Sequence, residues 1–290
     1  MQFSLPAGGN SSVEVFDPLA GAWSVTAPMA TGRAFHTATL LLSGNVLIVG
    51  GQDANGSILA SAELYDPVSA TWSQTGALGT PRAGHTATLL PSGLVLVAGG
   101  GQIYDETGIE SAETYDPSSA TWSPTGSMGT GRLFAGAALL PNGQVLVVGG
   151  AFVYPPPTII DPLSGIPTAN SELYEAATDS WSDAGYVTAA DLDSAVTLLR
   201  DGTALVAGGW TLRAPNPTPQ NAALYDPSTG SWRATGDAGT GGWFSTLTSL
   251  SSGRALMAGG ATFTGTSEAR GAIRPKRVPS STTSMPGAGC

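Results

Sequence analysis

The chain has 290 residues, 41% of them hydrophobic, so it is long enough to bury a sizeable core. Only 11% are charged and the net charge is −10, which argues against an electrostatic partnership with nucleic acid or an anionic membrane. The only cysteine is Cys290, so neither an internal disulfide nor a cysteine-based metal site can form.

In chain order, residues 13–25 read as a pair of short strands, VEVFDP and AWSVT, joined by a turn at Asp-Pro. Residues 33–74 follow with two apolar runs, HTATLLL and NVLIVGG, joined at Ser-Gly, and then a second pair, AELYDP and ATWSQT. The same succession returns over 82–124, 132–183 and 191–234, and two further apolar runs cover 243–260.

The repetition is registered at several independent positions. The second glycines of the pairs ending at Gly51, Gly100, Gly150, Gly209 and Gly260 lie 49, 50, 59 and 51 residues apart. Aromatic residues Phe16, Tyr65, Tyr115, Tyr174 and Tyr225, each followed by an acid, are each followed seven residues later by Trp23, Trp72, Trp122, Trp181 or Trp232. A period near 50 residues, with a glycine pair closing an apolar strand and a Tyr and Trp at short fixed spacing, resembles the kelch repeat of the galactose oxidase/kelch-type superfamily. The resemblance covers roughly residues 13–260 and implies an all-β fold, a β-propeller of four-stranded antiparallel blades.

With strands named a to d from the inside outwards, four blades are complete in sequence. The c–d pair at 13–25 and the a–b pair at 243–260 are expected to join as a composite fifth blade that closes the ring and removes exposed edges. The alternative is a piece of a six- or seven-bladed array. Residues 1–12 are expected to be ragged, and the basic, Ser/Thr-rich segment 261–290 to be disordered.

Three connections keep their length in every copy, and only the b–c connection varies: 14 residues from Gly51 to Tyr65, 15 from Gly100 to Tyr115, 24 from Gly150 to Tyr174 and 16 from Gly209 to Tyr225. In an up-and-down sheet the b–c and d–a connections leave one end of the blade, so the variation gathers on one face, as at the binding faces of repeat proteins. The inserts bring Tyr104, Tyr154 and Trp210 to that face.

The same face receives the lead into strand a, where Arg33, Arg82, Arg132, Asp191 and Gly242 stand in register. Arginine forks suit carboxylates. The residues therefore present two alternatives: a funnel for an acidic peptide, protein or anionic glycan, or arginines that brace the ring on neighbouring acids and carbonyls. His36 and His85 lie three residues further on and count as candidate ligand contacts. The copper site of the oxidases of this superfamily requires a cysteine cross-linked to a tyrosine and two histidine ligands, a pattern these residues depart from, so no cofactor or metal is expected.

The functional expectation is a non-catalytic, monomeric recognition propeller. An isomerase acting on an acidic sugar, with arginines holding the carboxylate and Asp191 or Asp193 as acid or base, is the second reading. An architectural piece of a larger surface protein is the third. No signal peptide is visible, and the Ser/Thr/Gly-rich, lysine-poor composition leans to a secreted or cell-surface setting.

Overall fold

The computed structural model describes residues 9–102, 107–150, 170–187, 194–209, 221–238 and 243–261. Every element is a β-strand. An outer hairpin comes first, β1 (Val13–Asp17) and β2 (Ala22–Thr26). Blade one is β3 (Thr37–Leu40), β4 (Val46–Val49), β5 (Ala62–Asp66) and β6 (Thr71–Gln74). Blade two is β7 (Thr86–Leu89), β8 (Val95–Ala98), β11 (Ala112–Asp116) and β12 (Thr121–Thr125), with a short ribbon, β9 (Gly101–Gln102) and β10 (Thr107–Gly108), in its b–c connection. Blade three is β13 (Gly136–Leu139), β14 (Val145–Val148), β15 (Asn170–Glu175) and β16 (Ser180–Tyr186). Blade four is β17 (Ala195–Leu198), β18 (Ala204–Ala207), β19 (Asn221–Asp226) and β20 (Ser231–Asp237). The inner hairpin β21 (Trp243–Ser249) and β22 (Ala255–Ala261) ends the described residues.

The four complete blades are antiparallel sheets in simple chain order, and the inner strands β3, β7, β13, β17 and β21 each touch the next. This is a kelch-type β-propeller architecture. Strand b is the most deeply buried: β8 and β14 are buried at every position, because both their faces meet a neighbouring blade. Apolar clusters lie between consecutive blades, for example Leu47 and Val49 of blade one against Val95, Val97 and Tyr115 of blade two.

The repeated aromatics explain how blades are stapled. Tyr65 faces Trp72, Tyr115 faces Trp122, Tyr174 faces Trp181 and Tyr225 faces Trp232 across the c–d hairpin, with ring centroids 4.9–5.1 Å apart. Each indole then reaches back one blade: Trp72 Nε1 donates to the Ala27 carbonyl at 2.8 Å, and Trp122 and Trp181 to those of Gly76 and Gly126 at 2.7 Å. The tyrosine hydroxyls do the same, Tyr65 with Thr26 at 3.1 Å and Tyr174 with Thr125 at 2.8 Å.

The glycine pair answers two constraints at once. Gly99 has φ +68°, and a Cβ there would lie 2.5 Å from the Arg132 carbonyl of the next blade. Only glycine tolerates both the left-handed backbone and that approach.

Two expectations are corrected. Among the described residues β1 pairs only with β2 and β22 only with β21, so the two hairpins remain separate two-stranded sheets and form no composite fifth blade. Repeat spacing within a chain defines the blade but not the angle between blades, and that angle decides whether the ends meet. Residues 9–12, expected to be ragged, belong to the framework: Asn10 bridges Arg33, and the Ser11 carbonyl accepts from Met29 N at 2.9 Å. The segment 261–290, beyond Ala261, lies outside the described residues.

Candidate functional site

The loop end of the blades is where the three arginines begin, and the structure accounts for every donor they possess. Arg33 Nε donates to the Thr31 carbonyl, Nη1 to the carbonyls of Gly50 and Ser61, and Nη2 to Ser61 Oγ and Glu63 Oε1. Arg82 repeats this on Thr80, Gly99, Ser111 and Glu113. Arg132 directs Nε and Nη2 to Glu172, Nη2 also to Asn170 Oδ1, and Nη1 to the Gly149 and Asn170 carbonyls. The ion pairs measure 2.6, 2.8 and 2.8 Å, and all three guanidinium-bearing side chains are fully buried.

A guanidinium has five N–H donors, and here all five are taken by the arginine's own blade and the d–a connection that leads into it. Within the described residues the arginines act as braces, with each donor already engaged. Burial pulls the pKa of Arg82 and Arg132 down from the ordinary arginine value, and the hydrogen bonds and charges of Glu113 and Glu172 act against that pull.

The glutamates were not singled out from the sequence, yet they organise the loop end. Glu113 also accepts from the backbone N–H of Gly79 and Thr80, and Glu63 from those of Ala30 and Thr31. One carboxylate thus closes the strand-c side of the blade onto the d–a connection. The signal was present: a glutamate stands two residues before the aromatic wherever the lead into strand a carries Arg, and blade four, with Asp191 in place of Arg, has Ala223 in place of Glu. Asp191 and Asp193 lie outside the described residues, as do Tyr104, Tyr154 and Trp210 in the inserts.

His36 and His85 are brought to the junction of blades one and two. His85 Nε2 meets Thr37 Oγ1 of blade one at 2.9 Å, and its ring lies against Gly50, where a Cβ would come within 2.9 Å of Cε1. The Nδ1 atoms of both histidines are buried without a hydrogen-bond partner. Burial, then the charge of Arg82 and then that of His36, push the His85 pKa down to about 3; burial followed by Arg33 lowers that of His36. These are neutral, wedged rings.

A second feature of the loop end had no sequence signal. Phe35 and Phe134, at equivalent positions ahead of strands a in blades one and three, have φ of 56° and 57°. Left-handed backbone at a bulky residue is costly, on the order of 1–3 kcal/mol. In blade two the same position is Gly84, also left-handed at φ +62°, and its missing side chain makes the opening across which the two rings meet edge to face at 5.5 Å. Gly84 N donates to the Phe35 carbonyl and Phe134 N to the Gly84 carbonyl, so the three residues form one continuous strip over three blades. Ala83, Leu133 and Ile58 pack with them, and both rings remain partly exposed.

The architecture and its repeated staples define a propeller built from kelch-type blades. Residues 33–78, blade one and its exit, match the family model described as Kelch motif. Among solved structures the chain is similar to a novel fungal alcohol oxidase with catalytic diversity among the AA5 family, in complex with copper, with a TM-score of 0.68 and 18% identity over 87% of this chain and 54% of that one. The chain thus spans about half the length of that structure, and the likeness is one of fold. No curated protein matches.

The copper of that oxidase finds no counterpart in the histidines described above. Among the described residues no three of His, Cys, Asp or Glu come together to hold a metal. These residues do not fit a copper centre.

Proposed function

We propose that the chain is a non-catalytic recognition or scaffold propeller that takes a protein segment or glycan at the end of the blades where the b–c and d–a connections leave, on the strip Phe35–Gly84–Phe134. A recognition or scaffold role is the general one that a kelch-type propeller supports. The observation that carries this reading is the pair of aromatic residues held in left-handed backbone with their rings meeting over Gly84. Backbone strain of this kind persists where the surroundings enforce it, and it concentrates at ligand clamps. Rigid, partly exposed aromatics supply contact area at little entropic cost. The length variation of the b–c connections adds a second, independent pointer to the same end.

With their donors engaged, Arg33, Arg82 and Arg132 lend no support to an acidic ligand or to the carboxylate clamp on which an acidic-sugar isomerase would depend. The test is an array of peptides and glycans probed with the wild-type chain and with the Phe35→Ala/Phe134→Ala double variant. Loss of the wild-type hits in the double variant, with melting otherwise cooperative, supports the strip. Hits that survive the double substitution overturn it.

A further inference from the structure

We propose that the edge of β1, unpaired among the described residues, is an interaction surface for a β-hairpin of the strand a–b kind that carries an arginine ahead of its first strand. The inference is independent of the loop-end reading above.

The hairpin β1–β2 is docked on blade one as the outer half of a preceding blade. Arg33 N donates to the Asn10 carbonyl as Arg82 N does to Leu59 and Arg132 N to Ile109; Met29 N donates to Ser11 as Leu78 N does to Ala60 and Met128 N to Glu110. These matches make Ser12 the equivalent of Ser61 and Ser111, and Glu14 the equivalent of Glu63 and Glu113. In the complete blades that serine and glutamate receive the arginine of the same blade. Glu14 is exposed, and among the described residues the ion pairs are the three of the complete blades. The acceptor half of an arginine site is therefore built at β1 without its donor half.

The apolar side of the edge is equally open. Phe16 is 46% exposed and Trp23 67%, whereas Tyr65, the equivalent of Phe16, is 7% exposed beside its strand-b partner Val46. An added strand b would stand beside Phe16 as Val46 stands beside Tyr65, joining by main-chain pairing along β1 while side-chain pockets set specificity.

The chemistry selects among occupants. Among its described residues a second copy has one inner hairpin without an outer partner, β21–β22, and the sequence places Gly242 in its arginine register. Seating it on β1 would bury Glu14 beside no cation, and an unpaired buried carboxylate is strongly unfavourable. An arginine-bearing hairpin ending in a glycine pair satisfies Ser12, Glu14 and Phe16 together.

A peptide copying residues 79–101 (GTPRAGHTATLLPSGLVLVAGGG) is the probe, titrated into the full chain with tryptophan fluorescence and calorimetry as readouts. It should bind, with Trp23→Phe reducing the fluorescence change. Arginine-to-alanine substitution in the peptide, or Glu14→Gln in the chain, should each weaken binding about tenfold or more, as for loss of a charge-assisted hydrogen-bond set. The two substitutions together should be far less than additive. Absence of binding, equal affinity of the arginine and alanine peptides, or binding untouched by Glu14→Gln would each overturn the proposal. So would a dimer of the chain, seen by sedimentation, that is lost on deleting β21–β22.

Discussion

Arg82 Nη2 and Glu113 Oε1 lie 2.8 Å apart in a site where neither side chain is appreciably exposed, and Glu113 holds the backbone of Gly79 and Thr80 with its second set of contacts. Removing the cation alone leaves a buried carboxylate. Arg82→Met should cost about 3–5 kcal/mol of unfolding free energy by denaturant titration. Glu113→Gln, which keeps the shape and an acceptor oxygen, should cost less. Combining the two should be less than additive, because the second change finds no partner left to strand.

Gly99 and Gly143 provide a matched pair for separating backbone strain from crowding. Their φ values are +68° and +88°, but a Cβ at Gly143, in the a–b turn of blade three, meets nothing within 4 Å. Gly143→Ala should cost about 1 kcal/mol from the left-handed backbone alone. Gly99→Ala adds a clash with the Arg132 carbonyl and should cost several times as much, read as the difference in denaturation midpoint between the two variants.

The c–d turn carries its own strain, and the repeats reveal it. The residue five beyond the aromatic is left-handed in each described copy: Gly21, Ala70, Ala120, Asp179 and Gly230, with φ between 51° and 64°. Ala120→Gly relieves a non-glycine in this region and should raise the melting temperature, the gain being up to about 1 kcal/mol. A drop in melting temperature would mean that the greater freedom of glycine in the unfolded chain outweighs the relief.

His85 predicts the direction of acid sensitivity. Its pKa is lowered from 6.5 to about 3 in the fold, so below pH 6.5 the unfolded chain takes up a proton that the folded chain refuses. Stability is retained above about pH 6.5 and falls as the pH drops toward 3, by up to about 1.4 kcal/mol per pH unit from this group. Replacing it with serine, the residue at the equivalent Ser194 of blade four, should flatten the slope between pH 6.5 and 4 in a thermal-melt series. The lowered pKa values of Asp66, Asp116 and Asp226 come first from the side-chain hydroxyls of Ser69, Ser118 and Ser228, and their loss of stabilisation falls at lower pH, below the ordinary aspartate value.

The blade itself was legible in the sequence because its constraints are local. A tyrosine and a tryptophan seven residues apart, with a turn between them, must face each other across a tight hairpin, and they do at Tyr65–Trp72 and Tyr115–Trp122. The glycine pairs were legible because nothing else fits at Gly50 or Gly99. The destination of the arginines was half legible. Arg33, Arg82 and Arg132 stood in register, but only the matching presence of Glu63, Glu113 and Glu172, and the joint loss at Asp191 and Ala223, separates a brace from a funnel. Ring closure was not legible at all, since it depends on small rotations summed over blades. The left-handed Phe35 and Phe134 gave no signal either, because two phenylalanines two repeats apart look unremarkable until Gly84 brings their rings together.

The brace of each arginine stays within one sheet and the connection leading into it, while the indole and tyrosine hydroxyl contacts pass to the sheet before it. Cohesion therefore runs from neighbour to neighbour, as in a linear chain of coupled units. Such a molecule loosens from its margins inward: amide protons of β1–β2 and β21–β22 should exchange with solvent first, and those of β8 and β14 last.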